Sequence, residues 1–205
     1  MAESKTLHDL FVDELKDAYD HEKQLVKALR KMAKAAMHPD LAEAFTAHLD
    51  ETNGQIAMLE EVFEMLDMKP KGKHCAGIAG IIEEGNEAIE EHEKSPLLDA
   101  ALVGGGKRAE HYEIAAYTTL IAMAKELGLD DAAKRFDEIL QEEIACDQKL
   151  DGLAAVLLPM ASDRGEDTED DDPTTRAKKT PAKKGASKKA SAKKSPAKTA
   201  SSRRR

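Results

Sequence analysis

Aromatic residues are scarce in this sequence, and tryptophan is absent. Only 3% of the 205 residues are aromatic, whereas 41% are hydrophobic and 35% are charged. Ala, Leu, Glu and Lys, which favour helices, are abundant. This composition favours one all-α domain over a sandwich or an α/β fold.

The sequence also lacks an apolar run of about 18 residues, so no transmembrane span is predicted. The first ten residues, MAESKTLHDL, do not follow the basic and then apolar layout of a secretory signal. Two cysteines, Cys75 and Cys146, are too few for a disulfide framework. We therefore expect a cytoplasmic protein with reduced thiols and no membrane association.

Four long amphipathic helices are predicted in residues 1–160, separated by proline, glycine and capping residues. They run from Thr6 to about Met37, from Pro39 to about Leu66, from Pro96 to Leu127, and onward from Asp130 or Asp131. Residues 77–94 form a shorter, acidic connecting helix. The two tight turns and the long connection predict an antiparallel four-helix bundle with one crossover.

Each long helix has polar residues that interrupt its apolar stripe. They are Glu22 in the first helix, His48, Glu51 and Gln55 in the second, Glu110 and Glu113 in the third, and Glu143 and Asp147 in the fourth. A carboxylate on a buried stripe is costly unless a cation or a proton meets it. The interruptions therefore indicate a polar site inside the bundle.

Four of these carboxylates are predicted to lie at one level of the bundle. Glu22 lies before the turn near residue 38 and Glu51 lies after it, at nearly equal distances along the chain. Glu113 and Glu143 flank the turn near residue 129 in the same way. At about 1.5 Å of rise per residue, the members of each pair match in height to within a few ångströms.

Two divalent metal ions would neutralise four buried acids, and oxygen ligands suit iron or manganese. We therefore predict two transition-metal ions per chain. The alternative is that the acids are solvated and only seem to point inward. His48 lies one turn before Glu51 and is either a ligand or a partner that orients one, and Gln55 either ligates through its amide oxygen or orients a carboxylate.

Five segments of residues 6–157 carry a family resemblance: LFVDELKDAYDHEKQL, AFTAHLDETNGQI, GIIEEGNEAIE, AEHYEIAAYTTL and LQEEIACDQKLDGLA. In these segments the sequence resembles the YciE/YciF family of bacterial stress-linked proteins, in the ferritin-like superfamily. The resemblance implies a ferritin-like four-helix bundle, an extra crossover helix and a homodimer.

The superfamily pattern is one Glu from each of two helices and Glu-x-x-His from each of the other two. The resemblance assigns the single-Glu positions to Glu22 and Glu113. It assigns the Glu of the paired motifs to Glu51 and Glu143. These four residues are the ligands that the resemblance implies.

The sequence departs from that pattern where the superfamily has histidine. Gly54 and Cys146 stand at those two positions. His48 precedes Glu51 instead of following it, and Asp147 offers a carboxylate in place of the second histidine. The departure implies a site richer in oxygen, which leaves open both the metal and an oxidase activity.

The end of the chain has the opposite charge from the rest. Residues 173–205 contain 13 of the 31 Lys and Arg residues and no acid, so residues 1–172 hold 18 basic and 40 acidic residues, a net charge of −22. Residues 161–172 form an acidic linker, and residues 173–205, the basic tail, are predicted to be disordered. The tail resembles the lysine-rich tails of linker histones and bacterial nucleoid proteins. Because it has no aromatic residue on which bases could stack, we expect non-specific DNA binding and association with the nucleoid; contact with the acidic body is the competing possibility.

Two functions are compatible with these observations. The first is a dinuclear metal protein of the stress response that oxidises Fe(II) with oxygen or peroxide, or removes peroxide at manganese, and is tethered to DNA. The second is a non-enzymatic nucleoid or stress-assembly protein whose bundle is a dimerisation module. The metal content of the natively purified protein distinguishes them.

Overall fold

The computed structural model describes residues 5–162, which form five helices. They are α1 (Leu7–Ala35), α2 (Pro39–Met65), α3 (Ala76–Glu91), α4 (Pro96–Glu126) and α5 (Asp130–Ser162). The all-α class, the four long helices and the short crossover helix are confirmed. The predicted bundle boundary at residue 160 lies just before the end of α5, and nearly all of the acidic linker and the whole basic tail lie outside the described residues.

Local chemistry explains where the helices begin and end. Thr6 caps α1 in a capping box, in which its hydroxyl accepts from the Asp9 amide and the Asp9 carboxylate accepts from the Thr6 amide. Proline occupies the first position of α2 and of α4. Gly128, with φ of 72°, follows α4 in the left-handed conformation that glycine tolerates best.

The chain folds as two antiparallel hairpins joined by a crossover. The first hairpin is α1 with α2 and the second is α4 with α5; α3 lies in the crossover and packs on α1 and α4. Asp99 of α4 is buried and accepts from the backbone amides of Met37 and His38, at 2.7 and 2.9 Å. The second hairpin thereby holds the turn of the first.

The core has two apolar layers separated by a polar layer. The first apolar layer contains Phe11, Leu15, Phe63, Tyr117 and Phe136, and the second contains Leu25, Leu41, Phe45, Leu102 and Leu150. Apart from Asp99, the buried polar residues of each long helix fall between the two layers. The predicted site therefore lies near the middle of the bundle. Of the five helices in residues 5–162, none is both long and apolar enough to cross a membrane.

Candidate metal centre

Four carboxylates and two histidines meet in the polar layer, and we call this group the carboxylate–histidine centre. Its members are Glu22, Glu110, Glu113, Glu143, His21 and His48, each no more than 2% exposed. His48, Glu110, Glu113 and Glu143 place one ligand atom each within 4.8 Å of one another, and so do His21, Glu22 and Glu113. Glu113 is common to both groups.

The histidines come from the first hairpin and three of the carboxylates from the second. His21 Nε2 lies 3.3 Å from Glu22 Oε1 and 3.7 Å from Glu113 Oε1. His48 Nε2 lies 3.6 Å from Glu110 Oε1 and 3.8 Å from Glu143 Oε2. Each imidazole therefore faces two acids at distances longer than an ordinary hydrogen bond.

Unpartnered polar atoms concentrate in this layer. In residues 5–162, nine buried side-chain nitrogen and oxygen atoms have no hydrogen-bond partner. They are both ring nitrogens of His21, Nδ1 of His48, Oε1 of Gln55, both carboxylate oxygens of Glu113, and Oε2 of Glu22, Glu110 and Glu143. All nine belong to the centre or to Gln55 beside it. Because buried polar atoms are normally hydrogen-bonded, such a concentration marks a site built to bind something else.

The protonation of the histidines responds to the acids around them. Burial opposes protonation of His21, but Cys75 and Glu22 favour it more and raise its pKa to about 9. Burial likewise opposes protonation of His48, yet its neighbours, which include Cys146, Glu51 and Glu110, raise its pKa well above the ordinary value. Without a metal, positively charged imidazoles would thus offset part of the negative charge.

Two of the carboxyl groups hold their protons more tightly than a solvated glutamate. Burial raises the pKa of Glu113 well above its ordinary value, and the charges of Glu143, Glu22 and Glu110 add to this effect. Burial also raises the pKa of Glu143, against the opposing effect of His48. Metal binding must therefore displace protons from these groups.

Neighbouring residues orient the carboxylates. The Tyr117 hydroxyl donates to Glu22 Oε1, and the Gln55 amide nitrogen donates to Glu143 Oε1 and, at 3.0 Å, to Glu142 Oε2. The Cys146 thiol donates to Glu110 Oε1 at 3.2 Å, and burial raises the pKa of that thiol to about 11. Gln55 therefore orients a carboxylate, while its unpartnered amide oxygen keeps the second predicted role open.

The predicted position of Glu51 in the core is corrected by the structure. Its side chain is 46% exposed, and Oε2 lies 3.5 Å from His48 Nδ1 at the edge of the centre. At 100° per residue, Glu51 lies about 60° around the helix from His48, outside the buried stripe. Matching height along the bundle does not fix rotation about the helix axis, and Glu110 supplies the fourth buried carboxylate.

Asp147 also lies apart from the centre. Its Oδ1 is 2.6 Å from Lys107 Nζ and 3.3 Å from His111 Nε2, on a side chain that is 17% exposed. A lysine on the neighbouring helix thus occupies this carboxylate. The remaining predicted residues, Glu22, Glu110, Glu113, Glu143 and His48, are brought together.

Sequence reasoning missed His21, which lies next to Glu22 in the segment DHEKQL. Ala28, one heptad later at the same position, is buried as well, but the sequence alone does not show that burial. Heptad spacing returns a side chain to nearly the same helix face. Counting only the central stripe left His21 on its flank.

The residues present fit a pair of metal ions. Glu113 belongs to both groups of ligand atoms, one with His21 and Glu22 and the other with His48, Glu110 and Glu143, so these residues would hold the ions. Carboxylate oxygen with one imidazole on each side is a donor set suited to iron or manganese. The unpartnered carboxylate oxygens and one ring nitrogen of each histidine can supply lone pairs for this purpose.

Fold and site together define a ferritin-like helical bundle with a buried carboxylate–histidine centre. The model of a family described as a domain of unknown function (DUF892) matches residues 6–161. The chain belongs to this family, and its predicted resemblance to YciF is confirmed.

Similar proteins support this assignment. Protein YciF of Escherichia coli (strain K12) is 47% identical over 151 residues, covering 73% of this chain and 91% of YciF. The crystal structure of the E. coli stress protein YciF matches with a TM-score of 0.73 and 45% identity, over 76% of this chain and 99% of that one. YcfI from Rhodopseudomonas palustris matches with a TM-score of 0.70 and 44% identity, over 73% and 96%. A protein from Xanthomonas campestris pv. campestris, at 23% identity and a TM-score of 0.63 over 78% and 99%, shares the fold.

Proposed function

We propose that this protein is a dinuclear metal protein that oxidises Fe(II) with oxygen or peroxide, or removes peroxide. The observation that carries the proposal is the concentration of nine unpartnered buried atoms on six charged or titratable side chains and one amide. Leaving a buried polar atom without a partner costs about 1–3 kcal/mol. A buried centre whose polar atoms lack hydrogen-bond partners is explained best by a ligand that binds those atoms.

Iron or manganese ions bound there would supply the electron-transfer chemistry. His21, Glu22 and Glu113 would hold one ion, and His48, Glu110, Glu113 and Glu143 would hold the other. Because hydrogen bonds from Tyr117 and Gln55 fix the orientation of Glu22 and Glu143, the ligands are positioned before an ion arrives. The apolar layers above and below the centre exclude bulk water.

The acids and histidines also bind and release protons. Glu113 and Glu143 hold protons in the absence of metal because burial raises their pKa values. His21 and His48 do the same for the reasons given above. These four groups would release protons when they bind metal.

Metal content tests the centre directly. The natively purified full chain should contain close to two iron or manganese ions per chain, and Glu113→Gln with Glu143→Gln should remove most of them. Glu126→Gln with Glu138→Gln is the matched control, since it makes the same chemical change on exposed positions of the same two helices. A double Glu113/Glu143 variant that keeps its metal would refute the ligand assignment.

Activity is a separate question from metal binding. The metal-loaded protein should consume oxygen or peroxide when Fe(II) is added, or peroxide alone when manganese is bound, and the Glu113/Glu143 variant should not. Metal without either activity would favour the second function, a non-enzymatic stress-assembly protein.

We further propose that the basic tail binds DNA without sequence preference and that the bundle forms a homodimer. Support for the tail comes from its 13 positive charges and lack of acids. Each phosphate neutralised releases counterions, so affinity should fall with salt with a slope of about −0.9 per phosphate. The homodimer rests on the family resemblance, and two tails per particle would bind more tightly than one.

Mobility shifts across a salt series test the tail. The full chain should shift duplex DNA at low salt, and a version ending at Asp172 should not. Changing the tail lysines to glutamine at full length is the matched control for chain length. Unchanged affinity after removal of residues 173–205 would overturn the tether, and light scattering of the full chain tests the dimer.

A further inference from the structure

A second group of reactive side chains lies where the segment before α3 meets α1 and α4. Asp17, His21 and Cys75 place one ligand atom each within 4.8 Å of one another. Cys75 and His21 are fully buried and Asp17 is half-buried. We call this group the thiol site.

Hydrogen bonds to α1 hold Cys75 in place. The Cys75 amide donates to Asp20 Oδ2 at 2.9 Å, and its carbonyl accepts from Gln24 Nε2 at 3.2 Å. Gln24 also donates to Asp20 at 2.7 Å, so the two α1 residues brace each other. Because the backbone of Cys75 is fixed on both sides, its thiol has a defined position relative to α1.

Tyr112 closes the thiol site from α4. Its hydroxyl lies 3.0 Å from Cys75 Sγ and 3.4 Å from Asp17 Oδ2. Its ring occupies space above Gly77, where an added Cβ would lie 2.5 Å from Tyr112 Cε2. Glycine at position 77 therefore makes room for this tyrosine beside the thiol.

His21 lies between the carboxylate–histidine centre and the thiol site, and its ring nitrogens are candidate metal ligands. Neither of its ring nitrogens has a hydrogen-bond partner, and the side chain is fully buried. Nε2 faces Glu22 and Glu113 of the carboxylate–histidine centre. A neutral imidazole has one lone-pair nitrogen and one N–H, so His21 can bind an ion at the thiol site as neutral imidazole and can serve both groups together only as an imidazolate.

We propose that Asp17, His21 and Cys75 bind a single divalent ion of the zinc type, with the Tyr112 hydroxyl beside its fourth position. Thiolate, imidazole and carboxylate are the ligands that zinc takes, usually in a tetrahedral arrangement. The thiolate separates this site from the oxygen-rich centre, which suits iron or manganese. Binding requires loss of the thiol proton and of a proton from the His21 ring to solvent, and no oxidant or reductant is involved. The site shares His21 with the carboxylate–histidine centre, but a single ion can bind here whether or not the function proposed for that centre holds.

Cobalt binding tests the thiol site, because Co²⁺ substitutes for zinc and a cobalt–thiolate bond has a charge-transfer absorption. The full chain, stripped of metal by a chelator and kept reduced without oxygen, should show this band with the intensity of one thiolate-bound Co²⁺ per chain, while cobalt in the oxygen-rich centre adds no such band. Cys75→Ser should abolish the band. Cys146→Ser is the matched control, since it removes the other buried thiol, which contacts Glu110, and should leave the band intact.

Further variants separate this proposal from the previous one and guard against misfolding. Glu113→Gln with Glu143→Gln should keep the band while losing the oxygen-bound ions. If circular dichroism shows that Cys75→Ser does not fold, Asp17→Asn decides, because it should weaken zinc binding by about 10–100-fold or more in competition with a chelator dye. Cobalt that binds without the band, a band lost only in Cys146→Ser, or unchanged zinc affinity in Asp17→Asn would overturn the proposal.

Discussion

His48 and Glu51 meet at the edge of the carboxylate–histidine centre, where the half-exposed Glu51 carboxylate approaches Nδ1 of the buried imidazole. A carboxylate on the far nitrogen of a metal-binding histidine fixes the orientation of its ring. We expect Glu51→Gln to retain two ions per chain but to weaken metal binding by about 10–100-fold.

Metal titration followed by elemental analysis measures this effect, with Glu143→Gln for comparison. Glu143 is buried in the centre, so its replacement should reduce the number of ions bound. Loss of an ion in Glu51→Gln would show that Glu51 itself swings inward as a ligand.

Asp99 stabilises the turn between α1 and α2. Its buried carboxylate accepts from two backbone amides in the α1–α2 turn, those of Met37 and His38. Asp99→Ala would leave both amides unpartnered, and we expect a loss of about 2–4 kcal/mol in the free energy of unfolding. Urea denaturation measures it, and Asp137→Ala, at an exposed position of α5, should change stability by no more than about 0.5 kcal/mol.

Residue-level prediction succeeded where helix period and burial agree. Glu22, Glu113 and Glu143 lie on the central stripes of their helices, and all three are buried as predicted. Glu51 and His21 lie on the flanks of their stripes, where the packing angle between helices decides burial. The flank with Glu51 faces solvent and the flank with His21 faces α4. A single sequence does not give the packing angle that decides this.

Among the elements, α3 packs closely against Tyr112 of α4 near its N-terminal end. A methyl group on Gly77 would meet the Tyr112 ring at 2.5 Å, whereas nothing lies within 4 Å of such a group on Gly80. Gly77→Ala should therefore destabilise the protein by about 1–3 kcal/mol, because Tyr112 must move.

Gly80→Ala is the matched control within the same helix. It should stabilise the protein by about 0.5–1 kcal/mol, since alanine favours a helix and no clash opposes it. Thermal denaturation of both variants checks the pair. Equal effects of the two substitutions would contradict the packing described for Gly77.

Helix ends were predictable closely because local residues determine them. Pro39, Ser95 with Pro96, and Gly128 stand at the predicted boundaries. The attachment of α3 to α1 and α4 was not predictable in the same way. It depends on long-range contacts such as those of Cys75 with Asp20 and Gln24.

For the molecule as a whole, metal should reverse the dependence of stability on pH. In the metal-free protein His21 has a raised pKa of about 9, so its contribution is full below about pH 6.5 and is lost as pH rises through about 9. His48, Glu113 and Glu143 are shifted in the same direction. Metal-free stability should therefore fall with rising pH, by up to about 1.4 kcal/mol per pH unit for each group.

With metal bound, the same groups have released their protons, so higher pH favours the loaded, folded state. Melting temperatures at about pH 6 and about pH 8.5, with excess metal and with excess chelator, measure both slopes. Because the same protein is measured with metal and with chelator, titratable groups outside the centre affect both measurements equally. Slopes of the same sign would contradict the proton displacement inferred here.

The division of the centre between two hairpins has a consequence for folding kinetics. The α1–α2 hairpin carries His21, Glu22 and His48, while the α4–α5 hairpin carries Glu110, Glu113 and Glu143. Hairpin contacts are close in sequence and can form early, but the crossover delays docking of the two halves. If docking follows the rate-limiting step, bound metal should slow unfolding and leave the folding rate unchanged. Stopped-flow denaturant jumps with and without metal would show this as a shift of the unfolding arm alone; faster folding would mean that the ligands assemble before the barrier is crossed.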